Sequence, residues 1–143
     1  MAVETLKCSL CYNGDIFSVS SYEKVRAELP STEAFMYGRG VIGNPALLSA
    51  IRDGKKADKK ILKEFMNEIY QQYQELLSGE RNVLFRMKEL WTYIAPSFED
   101  YEKYAKKIKK AQHFSEYEAA VNHLFLEKEL KENLCQEDRE AWI

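Results

Sequence analysis

Two glycine-centred turns, Asn13-Gly14-Asp15-Ile16 and Gly38-Arg39-Gly40, each follow directly on a short apolar run, and this pairing restricts the fold more than any other feature of the chain. Leu6 to Tyr12 and Ala34 to Tyr37 read as buried strands, with Ser20 to Leu29 as a helix between them. The order is strand, glycine turn, helix, strand, glycine turn, helix, which is how a parallel α/β unit is written. In (β/α)8 barrels a phosphate site often forms at the loops after the last two strands. Glycine lets the backbone come close to an anion and offer it N–H groups. A helix N-terminus adds partial positive charge, and Arg39 adds a cation able to grip phosphate through two nitrogens. The same turns also suit plain strand-to-helix connections, so spacing alone leaves both readings open.

Beyond the second turn the pattern becomes helical. Asn44 suits an N-cap and Pro45 a first helical position, opening a short helix to about Arg52. Asp53-Gly54-Lys55-Lys56 is polar and broken by glycine, and reads as a hinge. From Asp58, apolar residues recur at Ile61, Leu62, Phe65, Met66, Ile69, Tyr70, Tyr73, Leu76 and Leu77. That is the one-faced pattern of an amphipathic helix, with Ser78-Gly79 as its C-cap. A second helix is expected from Glu80 to Ile94, with Leu84, Met87, Leu90, Trp91 and Ile94 inward and Pro96 as its stop. Ser97-Phe98-Glu99-Asp100 and Ser115-Glu116-Tyr117-Glu118 read as capping boxes. They open a helix with Tyr101, Tyr104, Ala105 and Ile108 inward, and another with Ala120, Val121, Leu124 and Phe125 inward. Amphipathic helices with short connections predict an antiparallel four-helix bundle. The expected fold class is mainly α, a C-terminal four-helix bundle preceded by a βαβ unit. The last residues are acidic and without pattern.

Composition narrows the chemistry. Lysine and arginine total 21 against 23 acids, a formal charge of −2, so no overall basic balance advertises nucleic acid. No apolar run of about 18 residues is present to span a membrane, and the N-terminus lacks a signal peptide's design. Cys8 and Cys11 spell C-x-x-C inside an apolar run, without a second cysteine pair or nearby histidine to complete a metal site. Buried, inert thiols are expected, with Cys135 standing alone. The run Lys103, Lys106, Lys107, Lys109 and Lys110 contains no acid. It is either a solvated face paired with Glu99, Asp100 and Glu102 or a set of phosphate contacts. His113 and His123 have no acid–base partner at a recognisable spacing, and structural or surface roles are expected for both.

The wording around the two turns resembles one family. Asn13-Gly14-Asp15-Ile16-Phe17-Ser18 followed by Tyr37-Gly38-Arg39-Gly40-Val41-Ile42-Gly43-Asn44-Pro45 is similar to the final strands of the tRNA-dihydrouridine synthases. Phe85-Arg86-Met87-Lys88-Glu89-Leu90, with Trp91 and Tyr93, looks like the motif opening that family's helical domain. The resemblance implies an FMN-binding (β/α)8 barrel joined to a helical tRNA-binding domain, with NADPH reducing uridine to dihydrouridine. It implies that Asn13, Gly14, Asp15, Gly38, Arg39 and Gly40 surround the FMN phosphate, with Arg39 the main charge partner. Asp15 would act through its backbone N–H or as a helix cap, since its carboxylate would repel the phosphate. Arg86 and Lys88 are the implied contacts with tRNA. Many relatives carry Arg-Lys-His where this chain has Met87-Lys88-Glu89. Trp91, on the apolar stripe, is expected in the core, and so are Phe85 and Tyr93.

A (β/α)8 barrel takes about 250 residues, and this chain has 143 for barrel and helical domain together. On the resemblance, residues 1–56 are a βαβ remnant of the end of the barrel, 57–133 the helical tRNA-binding domain and 134–143 an acidic tail. The family's catalytic cysteine belongs to an earlier barrel loop, so no catalytic or metal residue is assigned, and the chain alone is expected to be an inactive fragment. The expected location is the cytoplasm, with tRNA as partner and self-association through uncovered barrel strands. The alternative is a non-catalytic helical module that binds RNA or a protein.

Overall fold

The computed structural model describes residues 8–131. The end of a barrel helix expected at Ala2 to Leu6, the first residues of the first expected strand, Cys135 and the acidic tail lie outside the described residues. Two strands, β1 (Cys11–Tyr12) and β2 (Ala34–Phe35), pair in parallel, with Cys11 opposite Ala34 and Tyr12 opposite Phe35. Met36 N–H extends the pairing to the Tyr12 carbonyl at 2.8 Å. Helix α1 (Val19–Glu28) crosses between them, opened by a capping box in which Ser18 Oγ accepts from Ser21 N–H and Ser21 Oγ accepts from Ser18 N–H. Two short helices follow, α2 (Arg39–Gly43) and α3 (Leu47–Asp53).

The helical half comprises α4 (Lys59–Leu76), α5 (Glu80–Ile94), a 3-10 turn (Ala95–Ser97), α6 (Glu102–Lys110) and α7 (Phe114–Glu127). Asp58 caps α4 by accepting from the Lys60 and Ile61 N–H groups. Val83, Leu84, Met87, Trp91 and Ile94 of α5 are buried, and they meet Tyr104, Ala105 and Ile108 of α6 and Tyr117, Ala120, Val121, Leu124 and Phe125 of α7. Inside this core Trp91 Nε1–H donates to Tyr117 Oη at 2.8 Å, so the indole enters without an unsatisfied donor. Burial pushes the Tyr117 hydroxyl's pKa up.

Several sequence expectations are corrected here. The first strand is short: Cys8 to Leu10 lie outside it, and Cys8 and Cys11 are exposed thiols rather than buried ones, with β1 pairing only with β2 among the described residues. Of the apolar residues of α4, only Leu62, Met66 and Tyr70 are buried, while Ile61 and Leu76 are 58% and 78% exposed. The apolar arc of α4 is wider than the seam it shares with α5. Gly79 does not end α4. Its φ of +83° places it as the N-cap of α5, a conformation that excludes most side chains. Neither expected capping box forms: α6 starts after Tyr101 and α7 after His113. Ser97 Oγ instead donates to the Gly43 carbonyl at 2.9 Å in a buried contact. Phe85, expected in the core, is 68% exposed.

The two halves touch. Alongside the Ser97–Gly43 hydrogen bond, α2 packs on α5, and an antiparallel bridge between Phe98 and Leu130 returns the chain after α7 to the 3-10 turn. At the far end of α5, Glu80 Oε2 lies 3.0 Å from His113 Nδ1, and Glu80 Oε1 accepts from the Phe114 N–H at 3.4 Å. The Glu80 hydrogen bond holds the His113 pKa above its ordinary 6.5, and the His113 bond holds Glu80 below its ordinary 4.5. The histidine's contribution is full below pH 6.5 and is lost as pH rises through its raised folded pKa. The carboxylate's is full above 4.5 and is lost as pH falls through its lowered folded pKa. The charged latch is therefore strongest between those ordinary values. Thermal melts should show His113→Gln and wild type diverging most between pH 4.5 and 6.5 and converging as pH rises through the histidine's raised pKa. A constant difference across that range would contradict the charged pair.

Candidate functional site

The parallel register of β1 and β2 brings the turns that follow them to one edge. Asn13-Gly14-Asp15 leaves β1, and Gly38-Arg39-Gly40 leads from β2 into α2. The link between them is ionic: one guanidinium nitrogen of Arg39, Nη2, donates to Asp15 Oδ1 at 2.5 Å and to Oδ2 at 2.6 Å. The Arg39 and Asp15 side chains are 49% and 35% exposed, so the pair is reached by water and contributes modestly to stability. Among the described residues, Arg39 Nη1 and Nε meet no acceptor. An incoming anion would thus find the N–H groups of Nη1 open on a cation already held in place.

The glycines divide the labour. A Cβ on Gly40 would stand 1.9 Å from the Ile16 carbonyl oxygen, so only glycine allows α2 to rest on the first turn. Ile16 is itself buried, which anchors that turn. Beyond its chain neighbours, nothing lies within 4 Å of where a Cβ of Gly38 would be. Space beside the Gly38 backbone is open, as an approaching ligand requires. A Cβ on Gly14 would meet only the neighbouring Tyr12 ring, a side chain able to move. Asn13 is exposed at the lip. The six residues of the expected phosphate site therefore lie together, and the carboxylate of Asp15 serves as clasp for Arg39. Opposite charges on matched turns were the signal in the sequence for this pair.

The expected tRNA contacts are placed differently from each other. Arg86 stands on the outer face of α5, with Glu89 Oε2 3.4 Å from Nη1. Lys88 Nζ donates to the Ala111 carbonyl at 2.5 Å, closing the C-terminal end of α6. Between the halves a cleft of about 510 Å3 is lined by Ser18, Asn44, Lys55, Lys59, Ser97 and Glu129 among others. Lys59 spends its charge there on Glu129, at 2.5 Å. Among the described residues no group of three or more His, Cys, Asp or Glu side chains is placed to hold a metal, and no helix is long and apolar enough to cross a membrane.

A dihydrouridine synthase family model matches residues 3–140. The chain belongs to the dihydrouridine synthase family. Membership makes it kin to oxidoreductases that act on tRNA. No curated protein and no solved structure matches it. The match covers both turns and the helical half, so the family's pattern extends over every described element.

Two substitutions separate the steric glycine from the open one. Gly40→Ala must push the Ile16 backbone aside and is expected to cost about 1–3 kcal/mol in denaturant unfolding. Gly38→Ala meets nothing and should stay within about 0.5 kcal/mol of wild type. Equal stability of the two variants would remove the assigned role of Gly40.

Proposed function

We propose that this chain supplies the flavin-phosphate site and part of the tRNA cradle of an FMN-dependent, NADPH-using tRNA-uridine reductase. The observation that carries the reading is the pinning of Arg39 beside the open backbone of Gly38, on the shared edge of two parallel strands. The donor set suits a phosphate. Arg39 offers the N–H groups of Nη1, Gly38 offers unobstructed backbone, and exposed Asn13 offers a side-chain amide. FMN, when bound, supplies the hydride chemistry that reduces the uracil ring.

The chain's own residues bind and orient. Asp15 holds the guanidinium at a fixed angle before any anion arrives, so less freedom is lost on binding. Its charge also offsets that of Arg39, which moderates affinity. A phosphate that draws on Nη1 leaves the Nη2 clasp intact, so the guanidinium is shared between carboxylate and phosphate. Arg86, exposed on α5, is assigned to an RNA phosphate, and so is Lys88, whose ammonium has two further protons beyond the one given to Ala111.

In an enzyme with a complete barrel, Arg39→Ala should weaken flavin retention by roughly 10- to 100-fold, the worth of a charge-assisted hydrogen bond or two. Gly38→Ala should weaken it without altering stability. Flavin titration of the apo-enzyme measures both, and unchanged affinity in both variants would overturn the phosphate assignment. The 143-residue chain by itself should purify colourless and form no dihydrouridine, because phosphate contacts alone do not offset the entropy of holding a whole cofactor. A yellow preparation, read by its visible absorbance, would count against that.

A further inference from the structure

We infer that the outer face of α6 is a ladder of cations for an RNA phosphate strand; the inference rests on the tRNA reading above and names residues outside the family motif. Lys103, Lys106, Lys107 and Lys110 fall at i, i+3, i+4 and i+7, which places them in one stripe roughly 10 Å long. All of them are exposed, while Tyr104, Ala105 and Ile108 take the buried side. Lys109 lies on the flank of the stripe.

Among the described residues, the stripe is neutralised only in part. Asp100, the nearest acid before α6, pairs with Lys128 at 3.1 Å instead. Glu99 and Glu102 each stand four residues before a lysine, yet neither forms an ion pair with it among the described residues. Glu127 approaches from α7, bonded to the Tyr104 hydroxyl and close enough to Lys103 and Lys107 for their charge to favour its ionised form. One carboxylate against four ammonium groups leaves a strong positive excess. Like charges at i, i+3 and i, i+4 oppose helix formation, so the stripe works against the helix that carries it. A chain of net charge −2 has no general need of such a face. Macrodipole compensation accounts for lysines in the last turn, and Lys103, in the first turn, lies outside that account.

The occupant follows from what the stripe lacks. An amphipathic helix that lies on anionic lipid needs exposed apolar residues beside its lysines, and those of α6 are all in the core. A regular row of same-sign charges without apolar anchors, and with one carboxylate beside it among the described residues, fits a polyphosphate backbone, which rewards cations whatever the sequence. Lys88, bonded to the carbonyl at the C-terminal end of α6, extends the row onto α5.

The test compares the full chain with the fourfold variant Lys103→Gln/Lys106→Gln/Lys107→Gln/Lys110→Gln, titrating unmodified tRNA transcript between about 50 and 200 mM salt. Wild type should bind with a steep salt dependence, and the variant's slope of log K against log salt should be shallower by about 3 to 4. Arg86→Ala should change the slope by about 1. Relief of repulsion should also raise the variant's melting temperature at low salt, with the difference closing above about 0.5 M salt. An unchanged slope in the fourfold variant, with wild type bound, overturns the ladder and leaves the tRNA reading standing. Wild type that binds no tRNA overturns both. Binding to phosphatidylserine vesicles in place of tRNA overturns the choice of RNA. A variant less stable than wild type would make the lysines structural and overturn the inference as well.

Discussion

The buried face of α5 carries four other helices, and the remaining packing is arranged around that constraint. Val83, Leu84, Met87, Trp91 and Ile94 wrap far enough round the helix to meet α2 as well as α4, α6 and α7. A narrower stripe would seat only two neighbours. Because α2 begins at Arg39, the helix that organises the bundle also fixes where the second glycine turn can stand. Ser97, just beyond α5, adds a buried hydrogen bond to the last carbonyl of α2. The glycine-turn edge and the helical half are thus positioned through one shared element.

Two polar contacts keep the apolar core specific. The Trp91–Tyr117 bond satisfies the buried indole N–H, gives the Tyr117 oxygen a partner, and links α7 to α5. Lys88 does the same for α6 by capping its C-terminal end from the side of α5. Both replace water at groups that would otherwise be buried at a cost of about 1–3 kcal/mol each. Tyr70, whose hydroxyl donates to Glu118 at 3.0 Å, ties α4 to α7 near the bundle's edge, where burial and that acid raise its pKa.

Charge is managed in opposite ways at the two candidate surfaces. At the glycine turns, Arg39 is matched by Asp15 in a pair of zero net charge, so an anion there gains from fixed geometry more than from field strength. On α6 the lysines are left largely unmatched among the described residues, so a polyanion would gain from field and little from geometry. The first arrangement suits a single bound phosphate that must be held at one angle. The second suits a long strand that must be gripped without regard to sequence.

The sequence by itself determined the elements whose cause is local. Glu80 to Ile94 is helical because its apolar spacing repeats every three to four residues, and the structure gives those bounds. The inward residues of α6 and α7 are legible for the same reason, as are the two turns marked by glycine. Tertiary structure decided whatever depends on a partner distant along the chain. Asp15 meets Arg39 across 24 residues, Lys88 meets Ala111 across 23, and Glu80 meets His113 across 33. It also decided how much of each apolar surface found cover. Ile61 and Leu76 stay exposed because the seams with α5 and α7 take the Leu62, Met66 and Tyr70 side of α4, and Cys11 because β1 pairs with β2 alone among the described residues. Periodicity states which face of a helix or strand is apolar. Whether another layer arrives to bury that face is a property of the assembled fold.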